Sequence, residues 1–162
     1  MLYIGIDPGV KNLGLAWKRD NGEISTITLN PSDFKKLSDF CNHLNEFLEI
    51  NPEEGGRAVI ERFVSYEDKL TSIGEDVLML IGATVHFLQE RGIQVKLLRA
   101  IDWKHPLCAI LAKKGFENPG NGGSLDKKFS LAAFQFIYKV RVKKDHEADA
   151  GCLCAFAAGD VR

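Results

Sequence analysis

Long apolar runs are missing from this chain of 162 residues, and none of its segments is long enough to cross a membrane as a helix. The first residues also lack the order of basic, apolar and small residues that marks a secretory signal peptide. We therefore expect an intracellular protein that is not secreted.

Cysteine is scarce, with only Cys41, Cys108, Cys152 and Cys154 in the whole chain. The Cys-x-Cys pair does not have the spacing of a zinc site, and three of the four fall in apolar patterns typical of helices. We expect reduced, buried cysteines rather than disulfides or a zinc site.

An excess of charge is also absent, because the formal net charge is −1. The distribution of charge is more informative. Residues 99–144 contain 10 basic and 3 acidic residues, whereas residues 1–98 contain 10 basic and 15 acidic ones. A basic segment in an acidic chain indicates a local anionic partner, although a solvated lysine-rich surface explains the same count.

The length fits one domain, residues 1–162, with a full core. Three short strands joined by turns predict an antiparallel meander, and a strand, helix, strand order after it predicts parallel pairing with a right-handed crossover. We therefore predict an α/β fold with a five-stranded mixed sheet flanked by helices. The predicted strands are Leu2–Ile6, Asn12–Trp17, Ile24–Leu29, Arg57–Glu61 and Ile93–Leu98.

Helices are predicted between and after these strands. Ser32 is a plausible N-cap for the first of them, and Pro106 is expected to precede the third. In the second helix, Ile73, Val77, Leu78, Ile81, Val85 and Leu88 are expected to face the core. The Gly-rich stretch Gly115–Ser124 is predicted to be a loop. The helices are predicted at Asp33–Ile50, Leu70–Arg91, Pro106 to about Lys114, Leu125–Val140, and from Asp145 onward.

Acidic residues close two of the apolar strands. Asp7 ends the first strand before the Pro8-Gly9 turn, and Glu61 ends the fourth. A turn residue is the simpler explanation for Asp7, because Asp before Pro-Gly commonly bonds the turn backbone. The last helix begins with polar residues, and His146 and Asp149 share one of its faces because they are three positions apart.

If the first and fourth strands are neighbours, Asp7, Glu61 and Asp149 can converge at one edge of the sheet. Three adjacent carboxylates raise one another's pKa values unless a cation neutralises them. Oxygen ligands suit Mg²⁺ or Mn²⁺, and two such ions about 3.5–4 Å apart are the usual arrangement for phosphodiester hydrolysis. The basic segment would then form a phosphate-binding wall beside the ions.

Three motifs support this view together: Ile4-Gly5-Ile6-Asp7-Pro8-Gly9 with Asn12-Leu13-Gly14, then Val59-Ile60-Glu61, then His146-Glu147-Ala148-Asp149-Ala150. In this order they resemble the RuvC family of Holliday-junction resolvases, within the ribonuclease-H-like fold. The resemblance implies a homodimer that grips a four-way DNA junction and nicks two strands of like polarity. It also implies a location in the cytoplasm or on the nucleoid, or inside the host cell if the source is viral.

The same resemblance assigns roles to residues. Asp7, Glu61 and Asp149 become ligands of two Mg²⁺ ions, for which Mn²⁺ can substitute, and His146 takes the family's fourth position, where Asp or His occurs. His suits Mn²⁺ better than Mg²⁺, and it could instead orient water or the phosphate. Asp145 is a lesser candidate for this place. The helix Leu70–Arg91 resembles the family's dimer-forming helix.

The family also places basic residues around the scissile phosphate and aromatic residues after the second acid. Lys104 matches one such catalytic lysine, and either Lys127 or Lys128 matches a second, since the Gly115–Gly123 loop lengthens the segment between them. Either Phe63 or Tyr66 could instead be a core residue. The predicted DNA-binding residues are Lys104, Lys113, Lys114, Lys127, Lys128, Arg62, Phe63 and Tyr66.

Three alternatives remain open at this point. A nuclease with the same fold could act on another branched DNA, or on structured RNA as a YqgF-type relative would. The closing His-x-x-Asp and the basic segment favour RuvC. An actin-like nucleotide-binding module needs two lobes, for which one domain has no room. A DNA-binding protein without catalysis would not need the complete set of acids.

Overall fold

The computed structural model describes residues 1–20, 22–51, 53–63 and 72–161. Within these residues, five strands form one mixed sheet in the order β3-β2-β1-β4-β5. The predicted strands are confirmed, with small shifts at their ends. They are β1 Leu2–Asp7, β2 Leu13–Arg19, β3 Ser25–Leu29, β4 Gly56–Glu61 and β5 Ile93–Leu98.

The pairing of the strands also agrees with the prediction. The first three strands are antiparallel, with Asp7 opposite Gly14 across β1 and β2. β4 runs parallel to both β1 and β5, and Ile6 lies opposite Ile60. The C-terminal ends of β1 and β4, which carry Asp7 and Glu61, therefore lie side by side at one edge of the sheet.

The first helix, α1, begins later than predicted. It spans Leu37–Leu48 and follows a separate 3-10 turn at Pro31–Asp33. The predicted N-cap at Ser32 is wrong, because Lys36 occupies the N-cap position of α1. The Ser32 hydroxyl instead donates a hydrogen bond to Asn30 Oδ1 at 2.7 Å, within the 3-10 turn.

The second helix, α2, is described over Ser72–Gln89, and the predicted residues Leu70 and Thr71 lie outside the described part. Its predicted core face is wrong at two positions, since Ile73 is 64% exposed and Leu78 is 43% exposed. The prediction is confirmed at Val77, Ile81 and Leu88, which are buried, and Val85 packs against the core. The buried residues are Gly74, Val77, Leu80, Ile81, Thr84, Phe87 and Leu88.

The third helix, α3, spans Ala100–Lys113 and contains Pro106, so the prediction that the helix starts after this proline is wrong. A proline inside a helix removes one backbone hydrogen bond and crowds the preceding turn. Here the first turn is closed by Arg99 and Asp102, which form a capping box. Trp103, Leu107 and Leu111 then bury the inner side of the helix, and this burial outweighs the cost of the proline.

Two further helices complete the chain. α4 spans Lys127–Tyr138, where the Asp126 side chain accepts hydrogen bonds from the backbone N–H groups of Lys128 and Phe129. α5 spans Asp145–Ala158. The predicted loop before α4 contains a short 3-10 turn at Asn121–Gly123. Among the described helices, none has both the length and the apolar character needed to cross a membrane.

The sheet separates two cores. Ile4 and Ile6 pack with buried residues of α1 and α2, such as Phe40 and Leu80, on one side. Val59 joins the core formed by α3, α4 and α5 on the other side. The four cysteines are free, as predicted, and Cys152 and Cys154 are buried in α5. Burial raises the pKa of the Cys154 thiol to about 12, which makes it a weak nucleophile.

Candidate active site

Alternation along β1 and β4 directs both strand-end acids to the same side of the sheet. Tyr3, Gly5 and Asp7 share one face of β1, opposite to the core residues Ile4 and Ile6. On β4, Glu61 shares a face with Val59, which packs with α3–α5. Both carboxylates therefore lie on the side covered by α5.

Two glycines allow α5 to approach this face closely. A Cβ added to Gly5 would lie 1.9 Å from the Ala150 carbonyl oxygen, and one added to Gly14 would lie 2.0 Å from the His146 carbonyl oxygen. Real Cβ atoms do not come this close to backbone atoms. The absence of side chains at these positions therefore lets the first turns of α5 lie against the sheet beside Asp7.

Asp7 and His146 are in direct contact. His146 Nδ1 lies 2.6 Å from Asp7 Oδ2. The hydrogen bond to Asp7 raises the pKa of His146 above its usual value. Burial raises the pKa of Asp7, and the charge of Asp149 adds to this effect, while the bond to His146 opposes it. The contact therefore favours the protonated form of His146.

Asp149 is bound by a lysine and a serine. Lys104 Nζ lies 3.1 Å from Asp149 Oδ1, and both side chains are largely shielded from solvent. The buried Ser130 hydroxyl donates a short hydrogen bond to the same oxygen. The charge of Lys104 also lowers the pKa values of Asp7 and Glu61, so this one ammonium group lies close to all three acids.

Glu61 accepts a hydrogen bond from the indole Nε1 of Trp103 at 2.8 Å. Trp103 is fully buried in α3. Burial, together with the negative charges of Asp7 and Asp149, raises the pKa of Glu61 to about 7, although Trp103 and Lys104 oppose the shift. The mutual repulsion expected of converging acids is therefore present at Glu61 and Asp7.

A cavity of about 380 Å³ opens beside Asp7 and Glu61. Arg62 and Phe63, both predicted to contact DNA, line it together with the start of α3. The third predicted residue of this group, Tyr66, lies outside the described residues. The cavity is lined by Asp7, Pro8, Glu61, Arg62, Phe63, Arg99, Ala100 and Ile101.

The predicted lysines separate into two groups. Lys127 Nζ lies 2.5 Å from Asp145 Oδ2 at the start of α5, next to His146. This bond lowers the pKa of Asp145. The neighbouring Lys128 lines a different cavity, with Arg141 and Val142. The structure thus brings Lys127, rather than Lys128, to the acidic edge of the sheet.

Lys113 and Lys114 are not brought to this edge. They end α3, about 15 Å along the helix from Lys104 at 1.5 Å per residue. Lys114 lines a cavity with Lys18, which pairs with Tyr3 near the start of β1, at the opposite end of the strand from Asp7. A role for Lys113 and Lys114 beside the acids is therefore not supported by their position.

The donor set of the site has the chemistry that a hard divalent cation requires, because Asp7, Glu61 and Asp149 supply only oxygen atoms. Within the described residues, however, no three His, Cys, Asp or Glu side chains are arranged to hold one ion together. Each acid faces a protein group instead: Asp7 faces His146, Glu61 faces Trp103, and Asp149 faces Lys104. The Lys104 ammonium group in particular provides the positive charge beside the acids that a metal ion would provide.

Two residues of the site were not predicted from the sequence, Trp103 as the hydrogen-bond donor to Glu61 and Ser130 as the donor to Asp149. Trp103 precedes Lys104 in a helix whose start was expected after Pro106, so its orientation was not predictable from the sequence. Ser130 stands among apolar residues of α4. A lone hydroxyl on the inner side of a helix is the signal that could have identified it.

No family model and no curated protein matches the chain. Among solved structures, Thermus thermophilus RuvC in complex with a Holliday junction substrate is similar, with a TM-score of 0.66 and 18% identity over 95% of this chain and 90% of that chain. A second Thermus thermophilus RuvC structure has a TM-score of 0.59 and 16% identity over 95% of this chain and 91% of that chain. The matches show that the chain has the ribonuclease-H-like fold of RuvC, and the resemblance is confirmed at this level.

Proposed function

We propose that this chain is a structure-specific DNA endonuclease that resolves four-way junctions by paired nicks, using divalent metal ions. The observation that carries the proposal is the convergence of Asp7, Glu61 and Asp149 at one sheet edge, beside Lys104 and His146. The fold supports it, since one of the similar RuvC structures is bound to a Holliday junction substrate.

Asp7, Glu61 and Asp149 would hold Mg²⁺, or Mn²⁺ in its place, with two ions per site and with His146 at the margin of the site. When bound, such ions activate water and stabilise the charge that develops in phosphodiester hydrolysis. Trp103 orients Glu61, and Ser130 orients Asp149, through the hydrogen bonds described above. These donors come from buried positions, so the carboxylates are held in place before a ligand arrives.

Lys104 is the residue best placed to meet the scissile phosphate. Its ammonium group lies at the acids in the absence of other cations, and a compact point charge of this kind binds phosphate oxygens well. If Asp149 held a metal ion, Lys104 would be available to the phosphate. Lys127, which is paired with Asp145 next to His146, would contact the backbone of the same strand.

The cavity beside Glu61 would receive the nucleotides that flank the cutting point. Phe63 offers an aromatic surface for an unstacked base, and Arg62 is exposed beside it. Base stacking on an aromatic side chain is tolerant of sequence. The cavity thus supports recognition of a distorted strand at a branch point rather than recognition of a base sequence.

A homodimer is part of the proposal. The outer side of α2 presents Leu78 and Met79, which are 43% and 61% exposed. Gly82 on the same helix has open space beside it. An exposed apolar surface of this kind marks an association surface, and a dimer would present two active sites to the two strands that must be cut.

The test is cleavage of a mobile four-way junction by the purified chain with Mg²⁺ or Mn²⁺, with both nick sites mapped. A linear duplex and a structured RNA serve as competing substrates. We expect symmetric nicks in the junction, and Asp7→Asn should abolish cutting while leaving junction binding largely intact. Cutting of the RNA alone would favour the YqgF-type alternative, and an Asp7→Asn variant that nicks at the normal rate would contradict the site.

A further inference from the structure

The outward side of α4 and its flanks carries an unusual density of positive charge. Between residues 113 and 144 the chain has 8 basic residues and only the acids Glu117 and Asp126. Every one of these basic residues is exposed. Asp126 is engaged with the backbone at the start of α4, where it accepts hydrogen bonds from two N–H groups.

These cations lack acidic partners. In the described part of the chain, Lys127 pairs with Asp145 at the active site, whereas Lys114, Lys128, Lys139 and Arg141 form no ion pair. The positive charge near the site is thus neutralised by the protein, and the charge farther along α4 is not. Unpaired cations gathered on one surface attract a polyanion and repel one another without one.

A row of cavities follows these residues. Lys128 and Arg141 line a cavity of about 390 Å³ that also contacts Gln135. Gln135, Phe136 and Lys139 line the next cavity, of about 410 Å³. Phe136 and Lys139 also line a third cavity of about 400 Å³, which extends to Lys114. Because Lys128, Gln135 and Lys139 lie at helical spacing along one face of α4, the cavities follow this face, which we call the α4 groove.

One of its cations is held in position. Lys139 follows the last turn of α4 in a left-handed conformation, with φ of 59°. Its Nζ lies 4.4 Å from the centre of the Phe136 ring. This cation–π contact restricts the lysine and places its charge over the groove. It also covers Phe136, which is therefore a poor platform for stacking an unpaired base.

The opposite side of the molecule has the opposite charge. α1 and α2 contain no lysine or arginine, and their acidic residues are Asp39, Glu46, Glu75 and Asp76. α1 and α2 pack on one side of the sheet, and α3, α4 and α5 pack on the other. A polyanion is therefore drawn to the α4 side and away from the α1 and α2 side.

We propose that the α4 groove binds the sugar–phosphate backbone of a duplex DNA arm that leads away from the cutting point. The groove begins at Lys128, next in the chain to Lys127 at the active site. α4 has 12 residues, so the groove extends over about 18 Å, the rise of about 5 base pairs of B-DNA. The inference rests on the proposed function, because it assigns a partner to the surface next to that site.

The chemistry of the groove favours a duplex backbone over other occupants. Its exposed charged groups include lysines and an arginine, and Asp160, an acid that also lines it, is paired with Lys18. Lysine and arginine contacts to phosphate position a nucleic acid without reading its sequence. An unpaired strand is usually held by aromatic stacking, which the covered ring of Phe136 does not offer. The expected binding is therefore independent of sequence and strongly dependent on salt.

The test is the salt dependence of junction binding for the triple variant Lys128→Ser, Lys139→Ser and Arg141→Ser. Each lost phosphate contact lowers the slope of log K against log salt by about 0.9, so we expect the slope to fall by about 2 to 3. The matched control is Lys35→Ser, Lys36→Ser and Lys96→Ser, which removes the same charge from exposed positions outside the groove. We expect its slope to equal that of the unaltered chain.

Two junction substrates distinguish binding to the duplex arm from binding to the branch point. One has arms that extend past α4, and the other has arms that are shorter than α4. A loss of slope confined to the long-armed junction supports the proposal. An unchanged slope with long arms overturns it, as does an equal loss with both junctions, which would place the cations at the branch point. Circular dichroism confirms that the variants are folded.

Cleavage by the unaltered chain decides the proposed function separately. If the unaltered chain cuts the junction and the triple variant keeps the same salt slope, the proposal for the α4 groove is wrong and the proposed nuclease function is supported. The unaltered chain could instead bind long duplex DNA, with a salt slope that the triple variant lowers, and yet cut no junction. That result would support DNA binding by the α4 groove and contradict the proposed nuclease function.

Discussion

The backbones of Gly14 and His146 lie against each other, so closely that a Cβ on Gly14 would be 2.0 Å from the His146 carbonyl oxygen. Gly14 is also the strand partner of Asp7. The same glycine therefore determines how near the first turn of α5 can come to the acid at the end of β1. The contact between Asp7 and His146 depends on this approach.

The first prediction is that Gly14→Ala lowers both stability and cutting. The new methyl group must displace backbone atoms of α5, which costs about 1 to 3 kcal/mol of the free energy of unfolding. The displacement also moves His146 and Asp149 relative to Asp7. Urea unfolding and junction cleavage measure the two effects. Gly22→Ala is the matched control, because its added Cβ meets only ordinary contacts at 3.5 Å or more; equal stabilities of the two variants would contradict the prediction.

The second prediction concerns the pH dependence of stability without metal. The pKa of Glu61 is raised from 4.5 to about 7 in the folded chain, so the folded state binds this proton more tightly than the unfolded state. The folded chain therefore loses stability as the pH rises from about 4.5 to about 7. Above this range the loss due to the ionised Glu61 carboxylate is complete. Glu61→Gln avoids the charge, and we expect it to be more stable than the unaltered chain by about 2 to 3 kcal/mol at about pH 8.

The same comparison at low pH provides the check. Near pH 4 the Glu61 carboxyl is protonated in both the folded and the unfolded state, so the advantage of Glu61→Gln should disappear. Urea unfolding in the presence of a chelator measures the free energies. Glu117→Gln, at an exposed loop position, should stay within about 0.5 kcal/mol of the unaltered chain throughout. A gain in the free energy of unfolding of Glu61→Gln that does not depend on pH would contradict the explanation that ionised Glu61 destabilises the fold.

The third prediction is that Mg²⁺ stabilises the folded chain through Asp7. At ten times its Kd, a ligand that binds only the folded state contributes about 1.4 kcal/mol, which raises the Tm of a domain of this size by about 3 to 6 °C. Asp7→Asn should remove the rise. Asp39→Asn, at an exposed position on α1, should retain it. A rise of equal size in Asp7→Asn would show that the ion binds elsewhere.

The fourth prediction is that α2 forms the dimer. Replacing Leu78 and Met79, which are both exposed, by glutamate should give a folded monomer, because two charged side chains would have to lose water at the interface. Light scattering after gel filtration measures the mass. Leu97→Glu, another exposed leucine on β5, should remain dimeric. A dimer that persists in the double variant would exclude this surface of α2.

Much of the fold could be predicted because its strands carry local signals. Alternation and turn residues define β1 to β3, and the order of strand, helix and strand gives the parallel pairing of β4. The start of α3 could not be predicted in this way. Pro106 suggests a boundary, and the contacts that override it, above all the burial of Trp103, come from distant parts of the chain.

The site shows the same division. The strand-end positions of Asp7 and Glu61 and the helical spacing of His146 and Asp149 are local and could be predicted. Their meeting at one edge also requires β1 and β4 to be neighbours, which only the structure establishes. The partners of the acids were not predictable, because Trp103 and Ser130 reach them only through the packing of α3 and α4 against the sheet. The position of Lys127 beside Asp145 likewise depends on where α4 begins.

The positive groups at the acidic edge of the sheet have a consequence for folding. Lys104 lies on Asp149, and His146, whose pKa Asp7 raises, lies on Asp7. The chain thus carries its own counter-ions to a place where bare carboxylates would repel one another. Under the proposed function, these internal counter-ions would allow the chain to fold before any metal ion binds. A metal ion at Asp149 would then have to displace Lys104.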